Sequence, residues 1–246
     1  MRTKSIDARP GWRDDLDVSL RPLRAAIVGG FLAGVLVGGV GGRIAMLILR
    51  LTSTPAVRGL QSDDGFTIGQ ISAATVFLLI VTGALGAAGG LAYLAVRRWI
   101  PPRWRTAVAA VVAGSIGGAL VVDPVGLDFT VLGPLPLAVA MFVALPATYG
   151  ALMSVWVERR LGAERPPSNV AVWVPCVLFA IVIALTGPTG VSILTAAAIV
   201  WILHRRVPAL RSIWASEPVV WLGRALLAAV TAAAAFRLVG DAVDIL

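Results

Sequence analysis

Residues 25–49 read AAIVGGFLAGVLVGGVGGRIAMLIL, and the fold follows from asking what can solvate such a stretch. Its only charged residue is Arg43. A helix rises about 1.5 Å per residue, so this run covers about 36 Å, more than the roughly 30 Å hydrocarbon core of a bilayer. A barrel strand is excluded, because the apolar residues run on continuously and do not alternate. The run is a membrane-spanning helix.

The same texture recurs along the chain. Further apolar segments cover residues 71–96, 106–122, 134–157, 170–186, 191–204 and 218–240. The turn Gly187-Pro188-Thr189-Gly190 should join the fifth and sixth as a tight helical hairpin. Arg224 and Arg237 fall near the ends of the seventh, where both can snorkel toward the interfaces. The 246 residues are 58% hydrophobic and only 14% charged, with a mean hydropathy of +0.89. A typical soluble domain carries about 25% charged residues, so this chain lacks the stock to cover a water-facing surface. We therefore expect an all-α, polytopic transmembrane helical bundle of about seven spans. Residues 1–22 form a cytoplasmic polar tail and residues 23–246 a single transmembrane domain.

Orientation follows from the arginines. With the N-terminus inside, the cytoplasmic segments hold 16 of the 21 basic residues, including Arg21, Arg24, Arg97, Arg98, Arg103, Arg105, Arg159 and Arg160. Outer loops after the third and fifth segments hold none, so the positive-inside asymmetry predicts N-in and C-out. All 8 tryptophans fall on the cytoplasmic side in this arrangement. The net charge of +8 is no nucleic-acid signature, since the basic residues lie between spans and not on one soluble face. Cys176 is the only cysteine and His204 the only histidine. The N-terminus is no signal peptide, because Asp7, Asp14, Asp15 and Asp17 precede the first apolar run.

Two constellations stand out. The first is a glycine ladder at Gly30, Gly34, Gly38 and Gly42, echoed by Gly86 and Gly90 and by Gly114 and Gly118. Glycines four apart form one ridge on which a neighbouring backbone can settle, which matters where water provides no drive for helix association. Close packing within the chain is the plain reading. Self-association and a pore lining are the functional ones.

The second constellation gathers charge on the outer face. The long outer loop, residues 51–69, carries Arg58, Asp63 and Asp64, and the loop 123–129, DPVGLDF, carries Asp123 and Asp128. They stand opposite Arg43 and Arg50, which are seven residues apart and share one side of a continuous helix. Carboxylates of this kind can bind a hard cation, or an Arg–Asp pocket can hold a charged solute or headgroup. The plainer reading is a salt-bridged lid in which Arg43 pairs with Asp64 or Asp128. No Asp, Glu or His lies deep within any of the segments, and no cofactor or metal is expected. Pro146 should kink the fourth segment.

At Val57-Arg58-Gly59-Leu60-Gln61-Ser62-Asp63-Asp64-Gly65-Phe66, then Asp128-Phe129 and Ala144-Leu145-Pro146-Ala147, the chain resembles uncharacterised multi-pass membrane proteins of high-GC Gram-positive bacteria. The resemblance covers roughly residues 24–160. It implies a bacterial plasma membrane and carries no activity, substrate or site.

Three functions are compatible with these residues. One is a non-enzymatic membrane scaffold or regulatory partner, forming homo- or hetero-oligomers through its glycine-rich helices. Another is a channel or facilitator for a small solute. The third is a divalent-metal-dependent enzyme acting on a lipid-linked substrate at the outer face. The lipid bilayer is a partner in every case, and nucleic acid in none.

Overall fold

The structure, a computed structural model, describes residues 12–53, 73–124, 126, 134–163, 170–190 and 216–246, with isolated positions between 192 and 213. These residues form helices and turns and contain no strand. Residues 12–52 make one uninterrupted rod. It consists of α1 (Trp12–Ala33), a π-helical stretch (Gly34–Gly41) and α2 (Gly42–Thr52). There follow α3 (Ala73–Val96), α4 (Arg105–Val121), α5 (Leu135–Gly162), α6 (Val170–Leu185) and α7 (Glu217–Ile245).

Proline marks several of the boundaries. Pro102 opens a 3-10 turn, Pro102–Trp104, that leads into α4. Pro134 precedes α5 in an extended conformation, and Pro218 sits in the first turn of α7. In each case the missing N–H falls where no helical partner is needed. At the far end of α6 the chain turns through Gly187, whose φ of +74° suits a residue without Cβ.

Five helices are long and apolar enough to cross a membrane: Leu20–Thr52, Val76–Val96, Pro102–Val121, Leu135–Gly162 and Glu217–Ile245. They correspond to the first four expected segments and the seventh. The fifth is the 16-residue α6, which at about 24 Å falls short of a full span as an α-helix. Most of the sixth, 191–204, lies outside the described residues. Large side chains stand exposed all round the bundle, among them Leu51, Leu85, Leu120 and Phe236. Apolar exposure on this scale belongs in lipid.

Side-chain contacts show which helix ends share a side. Arg21 Nη2 reaches Leu161 O at 3.5 Å, joining the start of α1 to the end of α5. Arg24 lies over the Trp173 ring, 5.4 Å from its centroid, and so brings in the start of α6. Arg224 Nε donates to Trp99 O at 2.8 Å, which ties the start of α7 to the α3–α4 turn. We call this the arginine side. At the opposite side Leu49, Val122 and Ala138 form one buried cluster, bringing together α2, the end of α4 and the start of α5. Consecutive long helices therefore run antiparallel, and α6 and α7 both start from the arginine side.

Candidate functional site

The glycine interface comes first, because it sets how close the helices lie. A Cβ at Gly30 would collide with the carbonyl oxygen of Gly86, and one at Gly34 with that of Thr82. From the other side, a Cβ at Gly86 would strike the Gly30 carbonyl, and one at Gly90 the Ala26 carbonyl. Here α1 and α3 touch backbone to backbone. The ladder then loosens. A Cβ at Gly38 would meet only the Thr82 side chain, at 3.2 Å, and at Gly42 no described atom lies within 4 Å.

The π-helical stretch holds the two middle rungs of the ladder, Gly34 and Gly38. Gly42 N–H donates to Val37 O, an i→i+5 bond. Turns closed this way rotate less per residue than α turns. The every-fourth ridge drifts one way along α1 and back along the π stretch, so it stays on one side of the rod.

A second seam joins α4 to α5. A Cβ at Gly114 would lie 3.0 Å from Ala147 Cβ, and one at Gly117 would lie 2.5 Å from Pro146 Cβ. Pro146 fills the notch that Gly117 leaves, so the proline shapes this contact. A Cβ at Gly118 would lie 2.9 Å from Leu238 Cδ2 of α7. Tyr149, also on α5, donates its hydroxyl to Gly86 O at 2.7 Å, and a side chain at Gly89 would displace that hydroxyl. One carbonyl of α3 thus meets α1 and α5 together. Thr82, Ser154 and Thr231 hydroxyls donate to carbonyls of their own helices, the usual resting place of a hydroxyl in lipid.

The strongest polar site was not foreseen from the sequence. It sits on the arginine side around Glu158. Arg97 grips the carboxylate with two bonds, Nε to Oε1 at 2.9 Å and Nη2 to Oε2 at 2.9 Å. Arg105 Nη1 adds a bond to Oε2 at 3.0 Å, and the buried Tyr93 donates its hydroxyl to Oε1 at 2.8 Å. Four charge-assisted bonds converge on one carboxylate from α3, the base of α4 and α5. The fourth segment was expected to end at Val157, whereas α5 runs on to Gly162 and carries Glu158 inside the helix. Glu158 is the only acidic residue between Asp128 and Glu164, facing a turn with four arginines, and that contrast was the available signal.

On the opposite side, Arg43 and Arg50 lie on α2 and are half-buried. Asp123 follows the end of α4 and is exposed. Arg50 and Asp123 adjoin Leu49 and Val122, which share a buried cluster, so these two positions are brought to one region. Arg58, Asp63, Asp64 and Asp128 lie outside the described residues. Among the described residues no three His, Cys, Asp or Glu side chains converge on a point that could hold a metal.

Comparisons with protein-family models, with curated proteins and with solved structures return no match.

Proposed function

We propose that the protein is a non-enzymatic component of a bacterial plasma membrane that works by lateral association, as an envelope scaffold or a regulatory partner of other membrane proteins. One observation carries this reading. Only 6% of the residues in the apolar stretch of α7 are buried, although the helix is 29 residues long. Its exposed positions include Ala225, Ala228, Ala229, Ala232 and Ala233, beside Leu226 and Phe236. Lipid chains are as apolar as leucine, so helices associate in a bilayer where small residues allow close approach. The α1–α3 seam is closed by backbone contact, and the α4–α5 seam by Pro146 in the Gly117 notch and by Gly150 against the Ala109 carbonyl, which favours association over a solute path between those helices.

Photo-cross-linking in native membranes tests the reading. A photoreactive side chain at Leu226 or Phe236 should give one discrete protein adduct, while the same group at the exposed Leu85 of α3 should label lipid. Lipid-only labelling from both α7 positions, or selective solute flux through proteoliposomes of the purified chain, would overturn it.

A further inference from the structure

The site around Glu158 is short of negative charge. Arg97 Nη2 and Arg105 Nη1 both lie within 3.0 Å of the same carboxylate oxygen, so they are no more than about 6 Å apart and the two cations repel each other. One carboxylate balances only one of them. Arg105 commits a single N–H to Glu158, and its Nε is buried without a hydrogen-bond partner among the described residues. A guanidinium has five N–H donors, so most of this one's capacity is unspent.

The α3–α4 turn adds to the excess. Arg98 and Arg103 are exposed there and form no ion pair with the described residues. Trp104 stands half out of the surface, with Arg103 5.8 Å from its ring centroid. The turn connects two helices long enough to cross a membrane, so these groups lie where the apolar spans end. Cations beside an indole at that level match the headgroup region of a bilayer.

We propose that this end of α3, α4 and α5 binds the phosphate of an anionic phospholipid. Glu158 holds Arg97 and Arg105 in place, the phosphodiester supplies the missing negative charge, and Arg98 and Arg103 reach it from the turn. Val111, two turns further along α4, is exposed and offers an apolar flank for an acyl chain. That flank favours a lipid over free phosphate, which would share the same headgroup chemistry. The inference rests on the membrane-spanning helices and is independent of lateral association.

Native mass spectrometry of the full chain in mild detergent, titrated with phosphatidylglycerol or phosphatidylcholine, reads the site directly. One phosphatidylglycerol should be retained at concentrations where phosphatidylcholine is not. Replacing Arg98 and Arg103 together by Gln should weaken its binding by about thirtyfold, from the usual value of a cation near an anionic surface. Neither side chain holds the bundle together, so this variant keeps its fold. Glu158→Gln should lower Tm in nanodiscs of phosphatidylcholine and recover most of that loss in nanodiscs containing phosphatidylglycerol. A purely structural carboxylate would lose the same Tm in both lipids, and that result overturns the proposal. So would equal binding of the two lipids, unchanged phosphatidylglycerol binding by the double variant, or inorganic phosphate matching the lipid's effect in phosphatidylcholine nanodiscs.

Discussion

Adding one methyl group at successive rungs of the glycine ladder should give effects that differ in sign. At Gly86 a Cβ meets the Gly30 carbonyl, and lies 2.7 Å from Gly34 Cα and 3.0 Å from Gly34 N. All three atoms are backbone, so no rotamer change relieves the clash and α1 must move away from α3. Overpacking that shifts backbone costs about 1–3 kcal/mol, and here we expect the upper end. The movement also strains the Tyr149 bond to Gly86 O. Gly34→Ala should behave alike, since its Cβ strikes the Thr82 carbonyl. Gly38→Ala meets the Thr82 side chain at 3.2 Å and should cost about 1 kcal/mol or less. Gly42→Ala meets no described atom within 4 Å and sits at helical φ and ψ of −58° and −42°. It should be neutral or stabilise by up to about 1 kcal/mol, the gain in helix propensity. Unfolding of the four single variants in mixed micelles under increasing denaturing detergent would rank them. If Gly42→Ala costs as much as Gly34→Ala, or Gly86→Ala costs nothing, the backbone contact between α1 and α3 is refuted.

Three further outcomes follow from single contacts. Tyr149→Phe removes a hydroxyl bond to a carbonyl, and such interhelical bonds average about 0.6 kcal/mol with a maximum near 1.7, so the same unfolding assay should show a small loss. Gly223→Leu would push into the Trp99 indole and lift the start of α7 from the α3–α4 turn, lowering Tm. Gly240→Leu, with no described atom within 4 Å, is its control and should leave Tm nearly unchanged. For orientation, in a Cys176→Ser background, Asp123→Cys should react with a membrane-impermeant thiol reagent on intact cells and Ala163→Cys only after lysis. The reverse pattern would invert the bundle.

The helices were legible because lipid imposes a length on them. Apolar runs of about 20 residues between arginine-bearing turns admit few readings, and five of the expected segments return as helices of spanning length. The ladder was legible as spacing but not as contact. Equal spacing hid that Gly30 and Gly34 face backbone, Gly38 faces a threonine, and Gly42 meets no described atom. Which rung matters depends on where α3 crosses the rod, and no local pattern encodes a crossing point. The Glu158 site was missed for a related reason. Positive-inside reasoning pools arginines by loop, so Arg97 and Arg105 counted only as topology, yet they converge with Tyr93 on one carboxylate 53 residues or more further on. The outer carboxylates show the converse. Their gathering was inferred from loop order alone, and of that set the described residues include Arg43, Arg50 and Asp123.

The contacts divide the bundle into parts of unequal firmness. Helix α3 is tied to α1 by backbone contact, and to α5 twice, through Tyr149 to Gly86 O and through Tyr93 and Arg97 to Glu158. The two ties to α5 lie at different depths, about two turns apart along each helix. A pair of bonds at separate depths fixes tilt as well as distance, which a single bond cannot do. Helix α4 joins the same frame through Arg105 and through the Gly117–Pro146 notch. Helix α7 has its hydrogen bond to the frame at one end, Arg224 to Trp99 O, and apolar contact with Gly118 further along. At the opposite side Leu238 and Ile245 of α7 pack against the Leu49–Val122–Ala138 cluster, so the helix is held near both ends and exposes Leu226 and Val230 between them. Under the lateral association we propose, that stretch between the two attachments is the surface a neighbouring protein would meet.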